Sequence, residues 1–272
     1  MSQSEFVLID RPRPGVALVT LNRPERMNSM AFDVMIPLRD ALAELHYDND
    51  VRVVVLTGAG RGFSSGADHK SAGSVPHVAG LTRPTYALRS MEILDEVILA
   101  MRRLHQPIIA AVNGAAIGGG LCLALAADIR VAATDAYFRA AGINNGLTAS
   151  ELGLSYLLPR AIGSSRAFEI MLTGRDVSAE EAERIGLVSR HVPAADLLLT
   201  CYEMAERIAG FSRPGTELTK RTLWTGLDAS TLEGHMQAEG LGQLYVRLLT
   251  ANFEEAVAAR AQSRAPVFTD EK

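Results

Sequence analysis

The run PIIAAVNGAAIGGGLCLALAADIR, Pro107 to Arg130, reads as a buried strand, a glycine-rich turn and a tightly packed apolar helix. Ile108 to Val112 is a short apolar stretch of the kind that sits inside a sheet, and Asn113-Gly114 breaks it with a turn dipeptide. Leu121 to Ala127 carries no charge on any face. Gly118, Gly119 and Gly120 remove three side chains where that helix begins, so a ligand atom can approach unpaired N–H groups at the positive end of the helix dipole. Such a turn suits an oxyanion. The first residues after it, Leu121-Cys122-Leu123, offer no carboxylate, hydroxyl or imidazole. A P-loop would need Lys and Ser or Thr after its last glycine, and a dinucleotide fingerprint would need G-x-G-x-x-G; neither is present here. The remaining structural alternative is a glycine cluster that only lets a helix pack close to a strand.

The chain has 272 residues, 48% hydrophobic and 21% charged, a composition of ordinary globular domains rather than of disorder. Its net charge is −4, and no block of Lys or Arg forms the stripe a nucleic-acid binder needs. Two cysteines, Cys122 and Cys201, are too few for a disulfide framework. The first residues show no basic flank with an apolar core, and no window approaches a membrane span. A cytoplasmic protein with no membrane partner is therefore expected.

Phe6 to Ile9 and Val16 to Leu21 flank Arg11-Pro12-Arg13-Pro14-Gly15 and read as a hairpin. Phe32 to Leu45 has helical spacing, with Pro37 past its first turn. Val51 to Thr57 is a buried strand ending in a second glycine-bearing segment, GAGRGFSSGADHK, and the segment from Ser71 to Pro84, rich in Gly, Ser and Pro, reads as a loop. Tyr86 to Leu104 is an amphipathic helix. Ile129 to Ala133 is the last strand before helices take over, and Thr148-x-x-Glu151 is a capping-box pattern for a helix running toward Ile162. Ser178 to Glu181 starts another helix that Gly186 ends, followed by a short strand over Leu187 to Val192 and a helix over Ala194 to Ala209. From Pro214 onward the pattern is all helix, with Leu223, Trp224, Leu244, Leu248 and Leu249 needing a surface to pack on.

Both glycine loops follow a buried strand, so each can present a backbone N–H at one sheet edge, and one donor from each makes an oxyanion hole. The combination LNRPERMNSM, VVLTGAGRGFSSGAD, PIIAAVNGAAIGGG, LALAADIR, LPRAIG and LTGRDVSAEEAERIGLV, in this order and over nearly the whole chain, resembles the crotonase superfamily, the enoyl-CoA hydratase and isomerase relatives. The resemblance implies an α/β fold, a spiral of ββα units over residues 1–200, followed by a helical region over 201–272 used in trimerisation, as a homotrimer or a dimer of trimers. It implies an acyl-CoA thioester substrate, in fatty-acid metabolism, with coenzyme A entering as part of the substrate and no separate cofactor or metal. Carried over by position, the oxyanion donors are the N–H groups of Ala67 and Gly119. The adenine and pantetheine would lie along Arg26, Met27, Ser65, Ala67, Asp68, His69 and Lys70, with Lys70 either meeting a phosphate or standing as a solvated loop lysine. Arg264 and Phe268 fall where the family brings C-terminal residues near a neighbour's coenzyme A.

The departure from the family lies in the acid and base. Its hydratases carry two glutamates at positions that are Cys122 and Gly142 here, and its single-glutamate isomerases use the second of these. Syn addition of water then lacks its usual general base and acid. Relatives that isomerise dienoyl-CoA add an acidic residue in the following loop, where Glu151 falls with one inserted residue. Glu151 therefore has two readings, a proton carrier at the thioester or the glutamate of a capping box. Cys122 reads as a small buried helix residue, and Asn144 and Asn145 as turn residues or ligands of water or substrate.

Two other functions compete. Gly62-Phe63-Ser64-Ser65-Gly66 matches the G-x-S-x-G of serine hydrolases, although Gly58 to Arg61 separate it from the strand that a nucleophile elbow requires. A CoA-binding protein of weak activity would keep the scaffold and the oxyanion hole without the glutamates. The six histidines lack paired metal-ligand spacing.

Overall fold

The computed structural model describes residues 5–271. Strands β1 (Val7–Arg13) and β2 (Val16–Leu21) form the expected antiparallel hairpin around Pro14-Gly15. Helix α1 (Phe32–His46) keeps Pro37 inside it, because Val34, Met35, Leu38, Ala41, Leu42 and Leu45 recur at helical spacing and hold its buried face to the core. A unit then repeats: β3 (Val53–Gly58), β4 (Gly62–Ser64) and α2 (Arg83–Arg103), followed by β5 (Ile108–Val112), β6 (Ala115–Ile117) and α3 (Gly119–Ala126). The third pair is β7 (Ile129–Ala133) and β8 (Tyr137–Arg139), with α4 (Leu154–Ile162) and α5 (Ser164–Thr173) after it. Next come β9 (Asp176–Ser178), α6 (Ala179–Ile185), β10 (Arg190–Val192) and α7 (Leu197–Ala209), then α8 (Arg213–Gly226), α9 (Leu232–Leu249) and α10 (Asn252–Ala261).

The first strand of each unit enters one six-stranded sheet, in the order β1-β2-β3-β5-β7-β10, and the second enters a four-stranded sheet, β4-β6-β8-β9. All neighbours from β2 to β10 in the large sheet are parallel, and β4, β6 and β8 are parallel in the small one. Parallel strands bury both faces, which is why β3 and β5 are apolar runs without alternation. This is the expected α/β spiral of ββα units.

Four expectations need correction. Strands do not end with β7: β8 and β9 complete the small sheet, each only three residues long and too short to show a period. No capping box opens α4. Its N-cap is Gly153 in a left-handed conformation, two residues past Glu151, and the Thr148 hydroxyl donates to the Ser150 carbonyl at 3.2 Å. The C-terminal region is helical only to Ala261. The expected unit boundary at 200/201 falls inside α7, whose Leu197, Cys201 and Ala205 belong to the main core. The apolar side chains left exposed, Leu223, Leu244, Leu248 and Leu249 among them, stand on α8 and α9, while Trp224 turns inward against the core.

Candidate active site

Strands β4 and β6 lie side by side and parallel, so the chain leaves both at the same edge. From β4 it enters Ser65-Gly66-Ala67-Asp68, and from β6 it enters the glycine turn. Two short bonds then orient Ala67. The Met30 N–H donates to the Gly66 carbonyl at 2.7 Å, and the Asp68 N–H donates to the Met30 carbonyl at 3.0 Å, a parallel bridge centred on Met30 and Ala67. In such a bridge the flanked residue's own N–H and C=O point away from the partner strand. Among the described residues no acceptor takes the Ala67 N–H.

Gly118 sits at φ 52° and ψ −119°, a conformation open to glycine alone, and its N–H is tied to the Arg139 carbonyl at 2.8 Å. It fixes the entry to α3, leaving the Gly119 N–H at the head of the helix with no acceptor among the described residues. The two loops touch: a Cβ on Gly66 would stand 3.3 Å from the Gly119 nitrogen. The sequence-based donor pair, Ala67 and Gly119, is thus brought together with both N–H groups free. Met30 packs against Gly119, its sulfur 2.3 Å from where a Gly119 Cβ would lie, with Leu152 at 3.4 Å from the same point.

Behind this edge is a buried polar knot. Asn28 accepts from the Arg23 N–H and donates to the carbonyls of Ala59 and Gly62, which clamps the Pro24–Ser29 loop to the turn after β3. Asp68, its side chain 2% exposed, accepts from Arg26, from Ser29 and from the N–H groups of Lys70 and Ser71, with Arg23 Nη1 at 3.2 Å. Burial pushes the Asp68 carboxyl up, yet these donors and guanidiniums outweigh it and hold the group far below the usual carboxylate range. The Asp68 side chain is thereby committed to shaping the loop. The same knot engages Arg26, while Ser65 donates to the Arg26 carbonyl and its N–H to that of Met27. The residues assigned to the coenzyme are thus assembled around one loop pair, with His69 and Lys70 exposed at its rim.

Glu151 points into this edge. Its Oε1 lies 3.2 Å from where a Cβ on Gly118 would be, one residue from the Gly119 donor. Burial raises its pKa, and the positive charge of His69 partly opposes the rise. Leu152, in a left-handed conformation at φ 45°, bends the chain between Glu151 and α4. The two positions that lack glutamates are closed. Cys122 is fully buried, donates its thiol to the Gly118 carbonyl at 3.3 Å, and is held well above an ordinary thiol pKa by burial and by Glu151. It is no nucleophile. Any Cβ at Gly142 would meet the Thr148 carbonyl at 2.0 Å, so no side chain fits there.

The hydrolase reading fails on geometry. Ser64 is buried within β4 and donates to the Asn28 carbonyl at 2.8 Å, while His191 and His235 pair with Glu183 and Glu239. Asn144 lies against Gly174 at the start of the loop to β9, and Arg264 is paired with Glu255. Phe268 lines an apolar groove with Trp224 and Leu223. Among the described residues no group of three His, Cys, Asp or Glu could hold a metal, and no helix is long and apolar enough to cross a membrane. Sequence reasoning missed Met30, Asn28 and Leu152. The first two lie within a motif already singled out, whereas nothing in the sequence marks Leu152 as left-handed.

Residues 11–271 match the model of the family described as enoyl-CoA hydratase/isomerase. The chain is 82% identical over 270 residues to a protein of Mycobacterium tuberculosis named "Probable enoyl-CoA hydratase EchA12", covering 99% of this chain and 95% of the relative. It is 40% identical over 263 residues to (E)-benzylidenesuccinyl-CoA hydratase of Thauera aromatica, covering 93% and 95%. Among solved structures, a probable enoyl-CoA hydratase/isomerase from Mycobacterium abscessus superposes with a TM-score of 0.95 at 72% identity, over 98% of this chain and 100% of that one. A monofunctional enoyl-CoA isomerase from M. smegmatis gives a TM-score of 0.74 at 72% identity, over 86% and 99%. With the free donors of Ala67 and Gly119 at one sheet edge and a family match over nearly its whole length, the chain belongs to the enoyl-CoA hydratase/isomerase family, the crotonase superfamily.

Proposed function

We propose that this protein is an enoyl-CoA isomerase in which Glu151 is the proton carrier. The observation that carries the reading is the half-buried Glu151 carboxylate against Gly118, beside the donor pair, at a site whose two other family carboxylate positions are a sealed thiol and a glycine with no room for a side chain. The thioester carbonyl of a 3-enoyl-CoA accepts from the N–H groups of Ala67 and Gly119. Glu151 takes a proton from C2, the electron pair moves through the C3–C4 double bond onto C4, and the negative charge is shared with the thioester oxygen in the hole. The Glu151 acid then returns the proton to C4, giving the 2-enoyl thioester. One carboxylate suffices, because what it removes it gives back. Hydration would ask for a second group to activate water or protonate the α-carbon, and the edge supplies none.

The likeness to the M. smegmatis monofunctional enoyl-CoA isomerase, 72% identical, supports this reading. The hydratase names of other relatives set the competing one. The substrate's coenzyme A runs along Arg26, Met27, Ser65, Ala67, His69 and Lys70, in a cytoplasmic enzyme of fatty-acid metabolism. The protein works as a trimer or a dimer of trimers, in which α8 and α9 cover their apolar side chains. Replacing Glu151 with Gln is expected to lower kcat on a 3-enoyl-CoA by about 10² to 10⁴ with little change in KM. An unchanged kcat would remove Glu151 from the chemistry.

A further inference from the structure

A cluster of basic side chains gathers where α2 ends and β5 begins, ahead of a strand whose far end leads to the glycine turn. A pocket of about 460 Å³ there is lined by Arg102 and Arg103 of α2, His105 after it, His46 at the end of α1, and Lys220 and Arg221 of α8. Glu217 is the only carboxylate in this lining. The Arg102 guanidinium sits over the Trp224 indole, and its Nη1 is buried with no hydrogen-bond partner. A guanidinium keeps its charge, so this N–H remains a buried donor in search of an acceptor.

The carboxylates nearby are already engaged, while Gln106 Oε1 is a second buried polar atom without a partner and Arg103 faces Glu96 at 3.4 Å. Asp128 receives the Trp224 indole N–H on one oxygen, and the Ile108 N–H and the Lys220 ammonium on the other. Asp228 faces Arg160 at 3.7 Å, and Glu217 faces His105 at 3.7 Å. The imidazoles of His46 and His105 meet edge to face with centroids 4.6 Å apart. Burial lowers the Arg102 pKa to about 10 against the pull of Asp128 and Asp228. Burial also lowers that of His105 against Glu217, with His46, Arg213 and Lys220 adding to the drop. Cations in the last turn of a helix commonly answer its dipole, but that accounts for neither the buried Nη1 nor the basic side chains that α1 and α8 add.

We propose that this pocket binds a phosphate-type oxyanion, with Arg102 and Arg103 as its principal donors and Arg221, His46 and His105 around it, distinct from the thioester site. The planar fork of a guanidinium matches two oxygens of such an anion. The anion could be inorganic phosphate or the phosphomonoester end of a larger metabolite, and the shared chemistry is the dianionic phosphoryl group.

The test uses the full-length protein in isothermal titration and thermal unfolding with inorganic phosphate and, separately, with AMP, at ionic strength matched by chloride. A saturable phosphate response that raises Tm is expected, since a ligand bound only by the folded state stabilises it. Arg102→Met and the double change Arg103→Gln with Arg221→Gln should each weaken phosphate binding about tenfold or more, and Lys70→Ala should leave it intact. Arg102→Met should also raise Tm in phosphate-free buffer by removing the orphaned donor. The Arg103 and Arg221 changes alter exposed side chains, so the test stands if Arg102→Met fails to fold. Tighter binding of AMP than of phosphate would assign the site to a phosphomonoester, and equal or weaker binding to the free ion. Absence of a saturable response beyond that of chloride, or a response undiminished by the Arg103 and Arg221 changes, would overturn the proposal.

Discussion

At the scale of single residues, Glu151 and Asp68 are both carboxylates at the site edge, and their surroundings drive them in opposite directions. Burial raises Glu151, whereas backbone N–H groups and guanidiniums hold Asp68 down in spite of burial. Activity that needs the Glu151 carboxylate should fall on acidification, with an apparent pKa above the ordinary 4.5 for glutamate, measurable as the acidic limb of kcat against pH. The linkage signs differ as well. A raised folded pKa gives stability below the unfolded value that is lost as pH rises through the folded one, so at neutral pH Glu151→Gln should be inactive yet at least as stable as the parent. Asp68 contributes stability above its unfolded value of 3.8 that is lost as pH falls. Asp68→Asn should cost about 3–5 kcal/mol in urea unfolding by leaving Arg23 and Arg26 facing a neutral group. Cys122→Ala should keep most activity, and the native thiol should resist alkylation until unfolding, as checked by mass spectrometry with and without urea. The candidates Ala67, Gly119 and Glu151 could be picked out in the sequence because they sit in or near glycine-marked motifs. The role of Glu151 was open there, since Thr148-x-x-Glu151 has the spacing of a cap, and only the left-handed pair Leu152 and Gly153 turns the carboxylate away from a helix end.

At the scale of elements, the apolar helix α3 and the turn before it do one job: they hold Gly119 still. Every residue of α3 is buried, so the helix has no freedom to tilt, and Gly118 sets its entry. The long parallel strands β3, β5 and β7 and helices α1, α2 and α6 were legible from apolar runs and caps, Ser178 accepting from the Glu181 N–H as its position implies. The small sheet was not. Its strands β4, β6, β8 and β9 are three residues each, and what defines them is pairing with segments distant in sequence. Gly142 belongs to the same scale, because the Thr148 carbonyl fills the space a side chain would need. Installing the missing glutamate by Gly142→Glu should therefore lower Tm and fail to create crotonyl-CoA hydration. A well-folded variant with rapid hydration would show that the loop yields more readily than its packing indicates.

At the scale of the whole molecule, the spiral brings two strand ends to one edge and leaves the C-terminal helices with a broad apolar surface. Leu223 is 69% exposed and Leu241 70%, values that suit burial against other copies of the chain. Sedimentation equilibrium should give a mass of three or six chains of 29.2 kDa, and a stable monomer would oppose the assembly proposed for α8 and α9. The proposed chemistry rests on a smaller count: two free N–H donors and one carboxylate. The most direct measurement compares, in one preparation, isomerisation of a 3-enoyl-CoA with hydration of crotonyl-CoA, before and after Glu151→Gln. Isomerisation should exceed hydration by about 10² or more and should collapse with Glu151→Gln; hydration faster than isomerisation, and untouched by that change, would contradict the assignment of Glu151 as the proton carrier.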